Sequence, residues 1–356
     1  MTPDSLTFLK ALLDTPGPSA FESAPARAWR AESERFVDRV AADAAGNSYA
    51  TVNPDGRPRV MLAGHIDEIG LMVTHVDDEG YVSFDTIGGW DPQVFVGQRV
   101  RLLGRDGPVV GVVGKKAIHL MEKDDRERVS KVEDLWIDIG AANRAEAQER
   151  LRIGDPGVLA AGVLEFPNGR IVSRSIDNRI GAFVVLEAAR LYAATRSRNA
   201  SVTAVATTRE EIASTGGGAR SSAVTLEPDV AVVVDVTHAT DYPGIDKRRH
   251  GDYRLGGGPV LSRGASVSEV VFELLASAAE AEGIPYTIEA ASRDTHTDAE
   301  AIFNAHRGIA TALVSVPNRY MHSPNEMITL EDLDRTARLL AAFASRLGAD
   351  ADFVPR

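Results

Sequence analysis

Short apolar runs alternate with helical patterns toward both ends of the chain. The alternation covers residues 1–70 and resumes at about residue 171. Its apolar runs include residues 202–207, 230–234 and 309–316. Short buried strands that alternate with helices are typical of an α/β sheet covered on both faces, and we predict this fold class.

The middle of the chain has a different pattern. Residues 73–87 are predicted to form two strands around the turn Asp77-Asp78-Glu79-Gly80. Further short β-prone segments follow at residues 98–103, 108–114 and 135–139. We therefore predict an inserted β-rich domain at residues 71–164. It divides the α/β domain into residues 1–70 and 165–356.

Two helices are predicted in the second half of the chain. Residues 178–192 form the first, with Asp177 at its amino end. The second closes the chain, where Thr329 and Asp332 have the spacing of a capping pair. Apolar residues at helical spacing follow this pair, namely Leu333, Leu340, Phe343 and Leu347.

Composition narrows the possible chemistry. The 356-residue chain contains no cysteine, which excludes disulfides, thiolate-bound zinc and a cysteine nucleophile. Any metal must therefore be held by His, Asp or Glu. The net charge is -12, and an acidic surface repels nucleic-acid phosphates. The start lacks signal-peptide features, and no apolar stretch approaches the ~18 residues of a membrane span. We predict a cytoplasmic protein without nucleic-acid or membrane partners.

Histidine or carboxylate side chains follow four of the predicted strands. They are His65, the pair Glu210-Glu211, Asp235 and His322. In open α/β sheets, the carboxyl ends of the strands form the edge at which ligands bind. An unpaired buried charge is costly, and a shared metal pair would give all of these side chains a partner.

The number of candidate ligands also fits a metal pair. With Asp177 added, the set can supply two His, one Glu and two Asp, which zinc, cobalt and manganese accept. Two metals with three protein ligands each need only five residues if one carboxylate bridges both. Three ligands leave open positions for water and substrate, which is typical of a catalytic site.

Each signal also has a simpler interpretation. His65 and Asp67 could be a hydrogen-bonded pair, and Asp177 could be a helix cap. The adjacent glutamates could begin a helix, where the dipole favours them. Asp235 could lie in a turn and His322 in an exposed loop. Their joint placement favours the metal site. The glycine stretches at residues 216–218 and 256–258 lack the Lys-Ser/Thr ending of a phosphate-binding loop, and no Gly-x-Ser-x-Gly elbow is present.

Motifs along nearly the whole chain resemble those of the M42 metallo-aminopeptidases, which include tetrahedral, glutamyl and deblocking types. They are Gly17-Pro18-Ser19, residues 63–70, Ile87-Gly88-Gly89-Trp90, Asp138-Ile139-Gly140-Ala141, Asp177-Asn178-Arg179, Glu210-Glu211 and residues 319–326. The resemblance implies a mixed-sheet di-metal peptidase domain covered by helices, with an inserted small all-β dimerisation domain. It also implies that dimers assemble into a dodecamer.

The resemblance further implies an activity and a set of site residues. The activity is removal of amino-terminal residues from peptides, with two divalent ions per subunit, Zn²⁺ first and Co²⁺ or Mn²⁺ as alternatives. It implies that His65 and Asp235 bind one metal, that Glu211 and His322 bind the other, and that Asp177 bridges both. It also implies that Glu210 is the general base and that Asp67 orients His65.

One segment departs from the family pattern. Many members have Ser-Gly-Thr-Asp where this chain has Asp294-Thr295-His296-Thr297-Asp298. His296 is either a polar contact near the substrate or an ordinary surface histidine. Three other functions stay open: an endoglucanase-like glycosidase, which needs two carboxylates and usually an aromatic platform; a related di-metal deacylase or carboxypeptidase; and a non-catalytic metal-bearing scaffold.

Overall fold

The structure is a computed structural model that describes residues 1–196, 198–213 and 216–356. The α-helices of these residues are α1 (Pro3–Asp14), α2 (Ser23–Ser33), α3 (Arg144–Arg150), α4 (Ile176–Ala193), α5 (Gly217–Leu226), α6 (Lys247–His250), α7 (Glu269–Glu282), α8 (Asp298–Phe303) and α9 (Leu330–Arg346). Among these helices, none has both the length and the apolar character needed to cross a bilayer.

The strands of the same residues belong to a large sheet, a barrel and a small sheet. They are β1 (Arg39–Ala42), β2 (Ser48–Val52), β3 (Arg59–His65), β4 (Gly70–Val76), β5 (Val82–Ile87), β6 (Arg99–Gly104), β7 (Gly107–Gly114), β8 (Trp136–Asp138), β9 (Pro156–Leu159), β10 (Leu164–Phe166), β11 (Arg170–Ser173), β12 (Ser201–Thr207), β13 (Val230–His238), β14 (Val260–Gly264), β15 (Thr287–Ala291), β16 (Ala310–Asn318) and β17 (Glu326–Thr329).

The large sheet is mixed, with the strand order β1-β2-β12-β3-β13-β16-β14-β15. Its central strands β12, β3, β13 and β16 are parallel, whereas β2 and β14 run antiparallel to β12 and β16. The apolar runs at residues 202–207, 230–234 and 309–316 correspond to β12, β13 and β16, as predicted. Buried on both faces, such strands are almost continuously apolar.

Helices cover both faces of this sheet, so the predicted α/β class is confirmed. One face packs against α1, α2, α4, α7 and α9 through large side chains such as Leu9, Trp29 and Phe343. The other face packs against α5 and α8, largely through small side chains such as Ala219 and Ala223. A small sheet of β10, β11 and β17 lies beside these layers.

Both predicted helices of the second half are present. In α4, Asp177 and Asn178 have non-helical backbone angles, so the regular helix begins after them. In α9, the hydroxyl of Thr329 accepts a hydrogen bond from the Asp332 N–H at 3.2 Å and donates one to the Asp332 carboxylate at 2.7 Å. This is the predicted capping pair, and it satisfies one of the free N–H groups at the helix start.

The inserted region forms a closed antiparallel barrel of β4, β5, β8, β7, β6 and β9 with its own apolar core. The small β domain is thus confirmed, and its strands lie between Gly70 and Leu159. One element was not expected in it: α3 begins after Asn143, whose side chain accepts a hydrogen bond from the Glu146 N–H. The domain boundary at residues 71–164 stays a prediction.

Candidate active site

The carboxyl ends of the central strands bring the candidate side chains together. His65 is the last residue of β3, and Asp235 lies in the neighbouring strand β13. Glu210 and Glu211 begin the turn that follows β12, and His322 follows β16. One expectation was wrong: Asp235 does not end its strand, because β13 continues three residues further, to residue 238.

Two groups of three side chains in this region could each hold a metal ion: His65, Asp177 and Asp235 form one, and Asp177, Glu211 and His322 the other. The Nε2 atom of His65 lies 3.2 Å from Asp177 Oδ1 and 3.9 Å from Asp235 Oδ1. The Nε2 atom of His322 lies 3.4 Å from Asp177 Oδ2 and 3.3 Å from Glu211 Oε2. Asp177 therefore directs one carboxylate oxygen to each group.

A close approach between β3 and α4 places Asp177 at the end of β3. A Cβ on Gly64 would lie 2.4 Å from the backbone carbon of Gly181, so neither position has room for a larger residue without movement. Asn178 holds the start of α4, because its side chain donates to Val234 O at 2.8 Å and accepts from the Gly181 N–H at 3.0 Å. The Asp177–Asn178 peptide bond is cis.

Asp67 is fully buried and holds the loop that carries the two glutamates. Its Oδ1 and Oδ2 atoms accept hydrogen bonds from the backbone N–H groups of Glu210 and Glu211, each at 3.2 Å. The Ser19 hydroxyl donates to Oδ2 at 2.5 Å, and Oδ1 lies 3.5 Å from His65 Nδ1. Asp67 is therefore in contact with both His65 and the backbone of the glutamate pair.

Glu326 occupies an equivalent place on the opposite side of the site, and no role was assigned to it from the sequence. Its carboxylate accepts hydrogen bonds from the backbone N–H groups of Asp177 and His322, each at 3.0 Å. His322 has a φ of 58°, a left-handed conformation that a non-glycine residue adopts only where its surroundings hold it. The sequence signal was slight: one acidic residue at the start of the apolar strand β17.

Negative charge exceeds positive charge among these side chains. Burial raises the pKa of Glu210 despite an attractive histidine, and Asp235 adds to the rise. Burial also raises the pKa of Glu211 and of Asp235. Burial alone would lower the pKa of His322, but Asp177 and Glu211 outweigh it and raise that pKa. The cluster thus favours added positive charge.

The donor atoms fit a divalent cation. Imidazole nitrogens and carboxylate oxygens are ligands that zinc, cobalt and manganese accept. In addition, the Oε1 atom of Glu211 is buried, and no hydrogen bond reaches it from the residues that the structure describes. A buried oxygen without a partner is costly, and a cation would provide one.

Two cavities meet at the site. The first, of about 540 Å³, is lined by residues of β13, β14, β15 and β16 and contains both groups of candidate ligands. The second, of about 610 Å³, shares Glu210, Glu211 and His322 with the first. His296 borders both cavities and is exposed, with its Nε2 atom 3.5 Å from Asp294 Oδ1. The glutamate pair thus lies where the two cavities join.

Comparison with known proteins agrees with this geometry. The family model for M42 glutamyl aminopeptidase matches residues 46–339. The chain belongs to the M42 glutamyl aminopeptidase family. As an M42 member it is a peptide hydrolase. It is 33% identical to the lysyl aminopeptidase of Pyrococcus furiosus over 351 residues, which cover 98% of each chain.

Solved TET peptidase structures have the same fold. A TET aminopeptidase from a marine sediment Thaumarchaeota archaeon is 32% identical, with a TM-score of 0.91 over 97% of this chain and 96% of that one. The Pyrococcus horikoshii TET1 peptidase, which can assemble into a tetrahedron or a large octahedral shell, is 30% identical with a TM-score of 0.85 over 96% and 100% of the chains. The match extends over the barrel as well as the large sheet.

Proposed function

We propose that this M42 chain is a metal-dependent aminopeptidase that removes single residues from the free amino end of peptides. The observation that carries the proposal is the pair of adjoining ligand groups that share Asp177, with Glu210 beside His65 and a member of neither group. In catalytic metal sites of this kind, the protein leaves positions open for water and substrate.

Five side chains would hold two divalent ions. One ion would be bound by His65 and Asp235, the other by Glu211 and His322, and both by Asp177. Zn²⁺ is the first choice, with Co²⁺ and Mn²⁺ as alternatives that the same ligands accept. When bound, such ions lower the pKa of a water molecule and polarise the scissile carbonyl.

Glu210 is the proposed general base. Its Oε2 atom lies 3.7 Å from His65 Nε2, and its side chain is 17% exposed where the two cavities join. A carboxylate at this place accepts a proton from the attacking water and later donates it to the departing amine. In the metal-free site, burial raises the pKa of Glu210; two bound cations would lower it again and leave the carboxylate free to accept a proton.

Asp67 is the proposed orienting residue. A metal-bound histidine usually donates its second ring nitrogen to a carboxylate or carbonyl, and Nδ1 of His65 faces both the carboxylate and the backbone oxygen of Asp67. The hydrogen bonds that the backbone N–H groups of Glu210 and Glu211 donate to Asp67 would hold the base and one ligand in a fixed position relative to each other.

The excess of carboxylates also supports a preference for free amino termini. An α-ammonium group at the junction of the cavities would be attracted by the carboxylates, and an acetylated terminus would lose this attraction. A deacylase would show the opposite preference. A two-carboxylate glycosidase would keep its activity after metal removal.

The first test measures turnover after metal removal. The protein is stripped with a chelator, reloaded separately with Zn²⁺, Co²⁺ or Mn²⁺, and assayed on aminoacyl chromogenic amides beside their N-acetylated forms. We expect restored cleavage of the free-amine substrates alone. Equal cleavage of acetylated substrates, or cleavage that survives the chelator, would contradict the proposal.

A second test addresses the base directly. Glu210→Gln keeps the shape of the side chain and removes its proton acceptor. We expect metal content like the unsubstituted protein and a kcat lower by about 10²–10⁴-fold, the usual contribution of general acid–base catalysis. Glu331→Gln, at an exposed position of α9, is the matched control. Turnover near that of the control would rule out Glu210 as the base.

The barrel is the proposed dimerisation domain. It exposes apolar side chains that include Val110, Val112, Ile118 and Leu120. Contiguous exposed apolar side chains are common at protein interfaces. A dodecamer built from such dimers is the proposed assembly. Size-exclusion chromatography with light scattering measures the mass of the assembly. A monomer at micromolar concentration would contradict both stages.

A further inference from the structure

Beyond the candidate metal ligands, the first cavity is lined by the polar side chains of Thr237, Ser262 and Glu289, which we call its floor. Glu289 in β15 is the register partner of Ser262 in β14, and both side chains line the cavity. Partners in a parallel ladder point to the same face of the sheet. Thr237 lies two residues after Asp235 in β13 and therefore points to the same face as that candidate ligand.

Glu289 has one polar partner in this floor. The Thr237 hydroxyl donates a hydrogen bond to its Oε1 atom at 3.0 Å. Among the described residues, no Lys, Arg or His nitrogen forms an ion pair with it, and burial raises its pKa. The Ser262 hydroxyl beside it is buried and has no hydrogen-bond partner within the described ranges. The carboxylate of Glu289 and the hydroxyl of Ser262 can therefore each accept further hydrogen bonds from a bound molecule.

The walls between this floor and the candidate metal ligands are partly apolar. They include Leu313 and Met321. Such a wall suits an aliphatic chain, whereas Glu289, Ser262 and Thr237 suit a group that donates several hydrogen bonds. A lysine side chain has both parts, with an apolar stem and an ammonium that carries three donors and no acceptor.

Other charged groups border the same cavity. Arg293 is exposed to solvent, Asp294 is exposed and lies near His296, and burial lowers the pKa of His238 so that it is neutral near pH 7. An exposed cation is well solvated and gains little from pairing, whereas a carboxylate in the cavity floor gains more from a partner. The balance of these groups favours a cationic occupant over an acidic one.

We propose that Glu289 is a specificity-determining residue that binds the cationic side chain of an amino-terminal lysine or arginine, assisted by Ser262 and Thr237. The inference rests on the proposed aminopeptidase function and deepens it, because it names the substrate class of the same site. The scissile carbonyl would lie at the candidate metal ligands and the side chain would extend along the cavity to β14 and β15.

The test compares lysine amides with norleucine amides. Norleucine has the four-carbon stem of lysine without the ammonium, so the ratio of their kcat/KM values isolates the contribution of the charge. In the unsubstituted protein we expect this ratio to exceed 10. In Glu289→Gln we expect it to fall by about 10–100-fold, the range of a charged hydrogen bond, with most of the fall in the lysine value.

Two further variants make the result specific. Ser262→Ala removes the unpartnered hydroxyl and should lower the lysine-to-norleucine ratio by a smaller factor. Glu273→Gln, at an exposed position of α7, is the matched control and should leave the ratio unchanged. Circular dichroism and the norleucine turnover of each variant report whether the fold and the metal centre are intact.

The outcomes separate this inference from the proposed function. Turnover of norleucine amide without a preference for lysine, an unchanged ratio in Glu289→Gln, or a preference for amino-terminal glutamate would overturn the inference alone. An equal loss of norleucine and lysine turnover in Glu289→Gln would also overturn it, since the residue would then affect the reaction regardless of the charge on the substrate side chain. Absence of turnover on every free-amine substrate would overturn the aminopeptidase proposal itself.

Discussion

Two buried charge clusters lie side by side in this protein, and their charges are compensated differently. The arginine cluster consists of Glu68, Arg174 and Arg179. The Glu68 carboxylate lies 3.0 Å from Arg174 Nε and 2.8 Å from Arg179 Nη2, and all three side chains are buried. Arg179 also donates to the backbone oxygens of Ile66 and Leu12. Each charged group in this cluster thus has an oppositely charged partner from the chain, with one carboxylate shared by two guanidinium groups.

The carboxylate cluster lies directly beyond Asp67 and consists of Asp177, Glu210, Glu211 and Asp235 together with His65 and His322. Here four acidic side chains meet two histidines. Raised pKa values of three of the acids record the cost of this excess, since burial disfavours their charged forms. The difference teaches that the chain itself supplies the partners of the first cluster, whereas the excess negative charge of the second favours added cations.

The largest effect is expected from breaking the arginine cluster. Glu68→Gln removes the carboxylate and leaves two buried guanidinium groups without their anion. Loss of one partner from a buried ion pair typically costs about 3–5 kcal/mol in the free energy of unfolding. The measurement is urea unfolding of the metal-free protein at fixed protein concentration, followed by circular dichroism.

The control for this prediction is an exposed ion pair of the same residue types. Glu331 pairs with Arg335 across one turn of α9, and the Glu331 side chain is 61% exposed. Glu331→Gln should change the free energy of unfolding by no more than about 1 kcal/mol. If both variants unfold at the same urea concentration, the arginine cluster does not have the structural role assigned to it.

A substitution in the carboxylate cluster should affect stability in the opposite direction. Burial raises the pKa of Glu211, so its charged form costs stability at neutral pH in the metal-free protein. Glu211→Gln should therefore leave the Tm of the metal-free protein unchanged or higher. The same variant should lose most of the Tm increase on adding Zn²⁺, and more than about 100-fold in kcat/KM, beyond the range usual for outer partners of a metal ligand.

Calorimetry with and without Zn²⁺ tests this contrast. A metal-free Glu211→Gln protein that melts well below the unsubstituted protein would mean that Glu211 is a structural residue like Glu68. An unchanged response to Zn²⁺ would mean that Glu211 does not bind the metal. Either result would remove the distinction between the clusters.

The sequence pattern predicted the strands of the large sheet well because burial on both faces makes β12, β13 and β16 almost continuously apolar. It was less accurate at Asp235. The apolar run stops there, but the strand continues, because this side chain faces the candidate metal site and its backbone still pairs with β16. Polarity marks the end of a run and not the end of a hydrogen-bonded ladder.

Contacts between distant parts of the chain were beyond prediction. Glu68 and Arg179 are separated by 111 residues, and Glu326 and Asp177 by 149. No periodic pattern relates such positions. The pairing of Glu289 with Ser262 likewise depends on the register of the edge strand β15 against β14, which hydrophobic periodicity fixes poorly because β15 is only partly buried. Closure of the barrel also depends on contacts between distant segments, because β9 must pair with both β4 and β6.

The smallest effect is expected at Asp67, which lies between the two clusters. In Asp67→Asn, the amide nitrogen must face the N–H of Glu210 or Glu211, so one backbone donor loses its acceptor and the loop shifts. We expect kcat/KM to fall by about 10–100-fold with metal retained, and a smaller loss in Ser19→Ala, which removes only one of the donors to Asp67. Metal analysis together with steady-state kinetics distinguishes a fall in kcat/KM with metal retained from one caused by loss of metal. If Asp67→Asn instead unfolds as readily as Glu68→Gln while its remaining folded fraction is fully active, Asp67 belongs with the arginine cluster and not with the site.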